Sequence, residues 1–145
     1  MLERKIVDLI EHHELLSMSV DDSVAEAAQR MAAHHVGALL VYQGEELCGI
    51  FTDRQMVERV VAAGLPAAET SVKEVMTPDP VAISPGDTVL DAIFAMKAQM
   101  TRHLLVEDGG RVVGMVSMSD LLRSMVEENA EERQQFEDLW QGFPV

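Results

Sequence analysis

Cysteine and basic residues are scarce in this sequence of 145 residues. The single cysteine, Cys48, lies in an apolar stretch, which excludes an internal disulfide and a cysteine-based metal cage. We interpret Cys48 as a small buried hydrophobic residue rather than a reactive thiol. Lysine and arginine number 11 against 25 acidic residues, so the formal net charge is −14. Nucleic acids require clustered cations that displace counterions, and this composition therefore argues against a nucleic-acid partner.

Long apolar runs are also missing. No stretch reaches the roughly 18 apolar residues of a membrane-spanning helix, and Met1-Leu2-Glu3-Arg4-Lys5 does not open a secretory signal. We therefore expect a cytoplasmic protein without a membrane partner. Apolar residues nevertheless make up 48% of the chain, which is enough for a buried core.

The sequence repeats itself after 65 residues. Gly49 recurs as Gly114, and Leu39-Leu40-Val41 recurs as Leu104-Leu105-Val106. The match needs no gap, and an ungapped series that includes glycines and apolar strands indicates a tandem duplication.

The sequence pattern predicts the same order of elements in each repeat: strand, helix, strand, turn, strand, helix. In the first repeat, periodicity predicts a helix that ends near His34, strands over 38–42 and 47–51, and a helix over 53–63. The first dozen residues have helical spacing and predict a flanking helix. Apolar strands with little polar alternation are covered on both faces. We therefore expect an α/β (α+β) fold in which the two repeats pack as a pseudo-twofold pair.

The repeats divide the chain into three parts: repeat one at 7–63, repeat two at 72–126, and an acidic C-terminal extension at 127–145. The extension carries Phe136 and Trp140 at helical spacing. It either folds back onto its own domain or forms a contact between subunits, since such an aromatic patch is rarely left open.

Two strand-to-helix corners are the candidate functional sites. Residues 114–120 read Gly-Met-Val-Ser-Met-Ser-Asp, and residues 49–55 read Gly-Ile-Phe-Thr-Asp-Arg-Gln. In both, a hydroxyl residue precedes Asp120 or Gln55 by three positions, which is a capping-box pattern. The local sequence alone is explained by helix capping.

The duplication and three motifs resemble the cystathionine-β-synthase (CBS) domain family, as a stand-alone tandem pair of the kind called a Bateman module. The motifs are Val75-Met76-Thr77 leading to Val81, Arg102-His103-Leu104-Leu105-Val106, and the corner at 114–120. The resemblance implies a non-catalytic regulatory sensor that needs no cofactor. It also implies an adenosine-containing ligand, such as AMP, ADP, ATP or S-adenosylmethionine, in the cleft between the repeats.

By the same resemblance, the corner's hydroxyl residue lies near the phosphates and its aspartate holds the ribose. A carboxylate suits the ribose because it can accept two hydrogen bonds from a vicinal diol. The N–H groups at the start of the following helix favour phosphate. One methionine is expected to line the adenine pocket, with two apolar residues of the other repeat beside the base. The residues expected at this better site are Ser117, Ser119, Asp120, Met115, Leu16 and Val36.

The first corner, residues 49–55, is expected to be the weaker site. Gln55 can cap a helix, but it is neutral and offers one acceptor oxygen to a diol. The resemblance places the basic pair Arg102-His103 facing this corner, whereas uncharged Gly37 and Ala38 match the pair at the better site. Each site thus lacks one feature, which favours a nucleoside, a monophosphate or a bridged ligand. The residues expected at the weaker site are Thr52, Arg54, Ile50, Thr77, Val81, Thr101, Arg102 and His103.

Catalysis and metal binding are not expected. No nucleophile is accompanied by a base at recognisable spacing, so we predict that the protein is not an enzyme. The pairs His12-His13 and His34-His35 are adjacent in sequence, and neighbouring side chains on a helix do not share a face. They are interpreted as surface or cap residues rather than metal ligands.

The expected partners are an adenosyl ligand, a second copy of the chain and a downstream protein that the sequence does not identify. A homodimer is expected because CBS-like pairs stack as discs and homodimers dominate closed assemblies. The alternative is a ligand-independent interaction or dimerisation module of the same fold.

Overall fold

The computed structural model describes residues 2–10 and 15–126. The chain forms two compact units. The 15–80 unit spans Leu15–Pro80, and the 81–126 unit combines the described residues from Val81 onward with the N-terminal segment. The N-terminal segment therefore packs with the second repeat, although it precedes the first in sequence.

The 15–80 unit contains a four-stranded sheet in the order β1-β2-β3-β4. Strand β1 runs parallel to β2, and the other pairs are antiparallel. The strands are β1 (Ser17–Ser19), β2 (Ala38–Gln43), β3 (Glu46–Thr52) and β4 (Thr77–Pro78). The helices are α1 (Val24–His34), α2 (Asp53–Gln55), which continues as a π-helix (Met56–Val61), and α3 (Val72–Val75).

Helix α1 shows how the sequence positions the core of this unit. The Ser23 hydroxyl accepts the N–H of Glu26 at 3.1 Å and caps the helix. Val24, Ala27 and Met31 follow helical spacing and are all buried against the sheet core.

The 81–126 unit contains a three-stranded sheet in the order β5-β6-β7. Its strands are β5 (Ala82–Ile83), β6 (His103–Asp108) and β7 (Arg111–Ser117). Its helices are α4 (Val89–Gln99), α5 (Met118–Val126) and a 3-10 helix (Ile6–Leu9). Ile6 is fully buried in the core of this unit together with Leu104 and Val116, which explains why the N-terminal segment belongs here.

The backbone of the two sheets confirms the duplication at a detail that the sequence did not predict. Ala38 pairs with Thr52, and His103 pairs with Ser117, one offset of 65 later. An irregularity in register follows Val41 in one hairpin and Val106 in the other. The same offset relates His35 (φ 54°) to Met100 (φ 51°), which end helices α1 and α4 in the left-handed backbone conformation. Both repeats therefore keep the same bulge and the same helix end.

Three expectations differ from the structure. The predicted N-terminal helix is a 3-10 helix of four residues, Ile6–Leu9, within the described part of the chain. The helix after the first corner is π-helical over Met56–Val61, which apolar spacing could not distinguish from an α-helix. Helix α3 and strand β4 are additional elements that the sequence does not predict, because four and two residues are too few to show a repeated helical or strand pattern. The interpretations of His12, His13 and the extension at 127–145 lie outside the described residues.

Candidate functional site

The second corner, residues 114–120, lies where β7 ends and α5 begins. The N–H of Ser117 donates to Oδ2 of Asp120 at 2.8 Å, and the N–H of Asp120 donates to the Ser117 hydroxyl at 3.2 Å. This is the reciprocal capping box that the sequence predicts. It fixes the Asp120 carboxylate in the first turn of a nine-residue helix.

The basic pair adjoins this same corner. His103 pairs with Ser117 across β6 and β7, and the N–H of Met118 donates to the carbonyl of Arg102 at 2.9 Å. The register places the backbone of the pair beside the carboxylate-bearing corner of its own unit, and the prediction that its side chains face the Gln55 corner stays a prediction. The 81–126 unit therefore gathers two serines, a carboxylate and two basic residues around one strand end.

Thr101 fixes the chain just before this strand. Its hydroxyl donates to the carbonyl of His103 at 3.1 Å and accepts the N–H of His103 at 3.3 Å. Thr101 thus shapes the backbone that carries the basic pair, and its membership of the weaker site stays a prediction.

The remaining residues of the predicted better site lie in different units. Ser119 and Met115 are half-buried in the 81–126 unit. Leu16 belongs to the core of the 15–80 unit, where it is 6% exposed, and Val36 packs against that core. Their contact with an adenine base stays a prediction.

The first corner is also a complete capping box. The Thr52 hydroxyl accepts the N–H of Gln55 at 3.3 Å, and the Oε1 of Gln55 accepts the N–H of Thr52 at 3.1 Å. The N–H of Asp53 donates to the carbonyl of Gly37 at 3.0 Å, which repeats the bond between Met118 and Arg102. The two corners therefore share a backbone and differ in their side chains.

Strand β4 lies directly against the first corner. Ile50, which is 6% exposed, pairs with Thr77. A Cβ at Gly49 would lie 2.6 Å from the carbonyl oxygen of Thr77, so only glycine permits this approach. The Nε2 of Gln55 donates to the Thr77 hydroxyl. Thr77, which is expected at this corner from the second repeat, belongs to the 15–80 unit and is bonded to Gln55.

Two arginines follow Thr52, and each has a structural contact. Arg54 donates from Nε to Glu58 at 2.9 Å, and that hydrogen bond raises the pKa of the Arg54 guanidinium above its ordinary value. Arg59, which the sequence analysis did not select, donates from Nη1 to the carbonyls of Val75 and Met76 at 2.9 and 3.0 Å. Arg54 thus pairs along its own helix, and Arg59 ties that helix to the segment before β4.

Val81 lies in the other unit, where it is half-buried and its carbonyl accepts the N–H of Leu105 at 3.2 Å. Within the described residues, no three His, Cys, Asp or Glu side chains form a group suited to a metal ion. No helix of the described chain has both the length and the apolar character needed to cross a bilayer.

The sequence model of the CBS domain matches residues 7–62 and 72–127. The chain therefore belongs to the CBS domain family, a family of regulatory modules, and it carries two such domains in tandem as predicted.

Curated relatives include the mitochondrial CBS domain-containing protein CBSX3 of Arabidopsis thaliana, 34% identical over 129 residues, covering 86% of this chain and 63% of the relative. YhcV of Bacillus subtilis is 33% identical over 108 residues, covering 74% of this chain and 76% of that protein. The chain spans only 20% of the longer Arabidopsis protein CBSCBSPB5.

Among solved structures, a putative signal-transduction protein with CBS domains from Burkholderia ambifaria MC40-6 superimposes with a TM-score of 0.83. It is 28% identical, and the match covers 86% of this chain and 96% of that one. The CBS domain protein NE2398 is 34% identical with a TM-score of 0.79, covering 85% and 98% of the two chains.

Proposed function

We propose that this protein is a ligand-sensing regulatory module that binds an adenosine-containing ligand at residues 117–120 of the second corner, here named the 117–120 corner. The observation that carries the proposal is the position of the Asp120 carboxylate, which the Ser117 N–H fixes in the first turn of α5 at 2.8 Å. A carboxylate is the side chain best suited to accept both hydroxyls of a ribose.

The surroundings of Asp120 suit the remainder of such a ligand. The N-terminal end of α5 carries partial positive charge, and the Ser117 and Ser119 hydroxyls add donors for a phosphate. The backbone of Arg102 and His103 adjoins the same corner, and we propose that the Arg102 guanidinium supplies positive charge there against the overall charge of −14. A basic pair next to the carboxylate makes a phosphorylated adenosine, rather than a bare nucleoside, the better candidate.

A sensor of this kind acts through differential affinity. A ligand shifts a protein between two arrangements only as far as it binds one better than the other. We propose that the signal passes through a homodimer to a downstream protein, without catalysis, in the cytoplasm.

The competing function is a ligand-independent interaction module. It is favoured by the two capping boxes, since both corners are held by their own hydrogen bonds without a ligand. A corner of this kind has a structural role whether or not it binds anything.

Thermal melting with AMP, ADP, ATP, S-adenosylmethionine, NAD(H) and cyclic di-AMP separates the two functions. A ligand at about one hundred times its Kd stabilises a protein by about 2.7 kcal/mol, which is a shift of several degrees. The sensor hypothesis predicts such a shift with at least one adenosyl compound and its loss in Asp120→Asn. If none of these compounds shifts the melting temperature, the interaction module becomes the better explanation.

A further inference from the structure

Gln55 uses both ends of its amide at the first corner. The Thr52 N–H is a donor only, so the atom that accepts it at 3.1 Å must be the carbonyl oxygen Oε1. The NH₂ group is thereby directed to the Thr77 hydroxyl, to which it donates. The orientation of the amide therefore follows from its partners, and the side chain links the corner to β4.

Arg59 makes a second link four residues later. Its Nη1 donates to the carbonyls of Val75 and Met76, at 2.9 and 3.0 Å. Gln55 and Arg59 thus bind consecutive residues of one short segment, 75–77. We name these two side chains and that segment the 55–77 joint.

The second repeat has diverged at both linking positions. Asp120 stands at the position of Gln55, and Ser124 at that of Arg59. Ser124 is 2% exposed, and its hydroxyl donates to the carbonyl of Leu121 at 2.7 Å, within α5. Position 124 therefore makes a bond inside its own helix, whereas position 59 reaches across to another segment.

We propose that the 55–77 joint makes the first corner a structural junction closed to ribose recognition, so that each chain binds one adenosyl ligand, at the 117–120 corner. This inference rests on the function proposed for that corner. Three features of the first corner support it. The one acceptor oxygen of Gln55 already caps Thr52, whereas Asp120 keeps a second oxygen beside its cap. The Thr77 hydroxyl is engaged by the amide, and β4 approaches closely enough to exclude a Cβ at Gly49.

The stability contributed by the 55–77 joint can be tested without a ligand. Thr77→Val keeps the size of the side chain and removes the hydroxyl, and Gln55→Ala removes the whole link. Each should lower the melting temperature of the ligand-free protein by about 2–6 °C, because a part-buried polar group loses its partner. The matched control is Gln29→Ala, which removes an exposed glutamine from α1 of the same unit and should change the melting temperature by less than about 1 °C.

The second arm is the number of ligands bound, measured by equilibrium dialysis with AMP. The inference predicts one AMP per chain in the wild type and in Thr77→Val, and none in Asp120→Asn. Two AMP per chain, or one that Thr77→Val abolishes, would overturn it.

The two arms also separate the inference from the proposed function. If no AMP binds, the proposed function fails for AMP, and the joint is judged on melting alone. Melting temperatures of Thr77→Val and Gln55→Ala equal to that of Gln29→Ala would then refute the joint.

Discussion

Replacing Asp120 by alanine should weaken adenosyl-ligand binding far more than it weakens folding. In the proposed complex the carboxylate accepts two ribose hydroxyls, and hydrogen bonds to a charged group contribute about 1.5–3 kcal/mol each. Because neighbouring bonds are not additive, we expect a total loss of about 2–4 kcal/mol. At 1.4 kcal/mol per tenfold, Kd should rise by about 30- to 700-fold. Isothermal titration calorimetry measures this change directly.

The difficulty is that Asp120 also caps α5, so its removal costs about 0.5–2 kcal/mol of stability without any ligand. Asp91 provides the matched control, since the Thr88 N–H donates to its Oδ2 at 2.9 Å and its own N–H donates to the Thr88 hydroxyl at 3.1 Å. Asp91→Ala removes an equivalent cap from α4 of the same unit and should leave Kd unchanged. A Kd for Asp120→Ala within threefold of the wild type, or an equal loss in Asp91→Ala, would refute the role of the carboxylate.

Three further predictions concern stability. Gly49→Ala places a Cβ 2.6 Å from the backbone oxygen of Thr77 and should destabilise the protein by about 1–3 kcal/mol. The loss should exceed that of Gly114→Ala, whose Cβ would meet the Ile10 side chain at 3.1 Å. Urea midpoints that rank the two variants in reverse would contradict this. Hydrogen bonds from the backbone and, to a smaller extent, the side chain of Thr88 lower the pKa of Asp91. The stability that Asp91 contributes is therefore present above the unfolded-state pKa of about 4 and is lost as the pH falls through the lower folded-state pKa. The melting temperature of Asp91→Asn should therefore approach that of the wild type only at acid pH, and a gap that widens there would contradict the assignment. Met100→Gly should raise stability by up to about 1 kcal/mol, because Met100 ends α4 at φ 51° while 79% exposed; a lower denaturation midpoint would show that its side chain has an unrecognised contact.

The sequence predicted best what depends on repetition and local pattern. The offset of 65 located both corners, and hydroxyl and acceptor residues three positions apart predicted both capping boxes. These bonds join residues in one turn of chain, so their geometry follows once the helix forms.

Contacts between distant residues could not be predicted in the same way. The bond from Gln55 to Thr77 spans 22 residues, and no local pattern distinguishes it from a glutamine in solvent. The position of the backbone of the basic pair beside Ser117 is likewise a contact between distant residues, and it follows from the register of His103 with Ser117. That register was available in principle, since the hairpin around Gly109 fixes which residues pair once the bulge after Val106 is known.

The divergence of the two corners is best understood as a division of roles between copies of one backbone. A capping position three residues into a helix accepts Asp or Gln with little structural consequence, because either supplies the oxygen that the cap requires. The choice between Asp and Gln matters only for the part of the side chain that the cap does not use. An aspartate adds negative charge and a second acceptor oxygen, which suit a ribose, while a glutamine adds a donor, which here reaches Thr77. After duplication, the difference at position 55 or 120 therefore gives the two corners different side-chain partners, and the difference at position 59 or 124 adds the second link of the 55–77 joint.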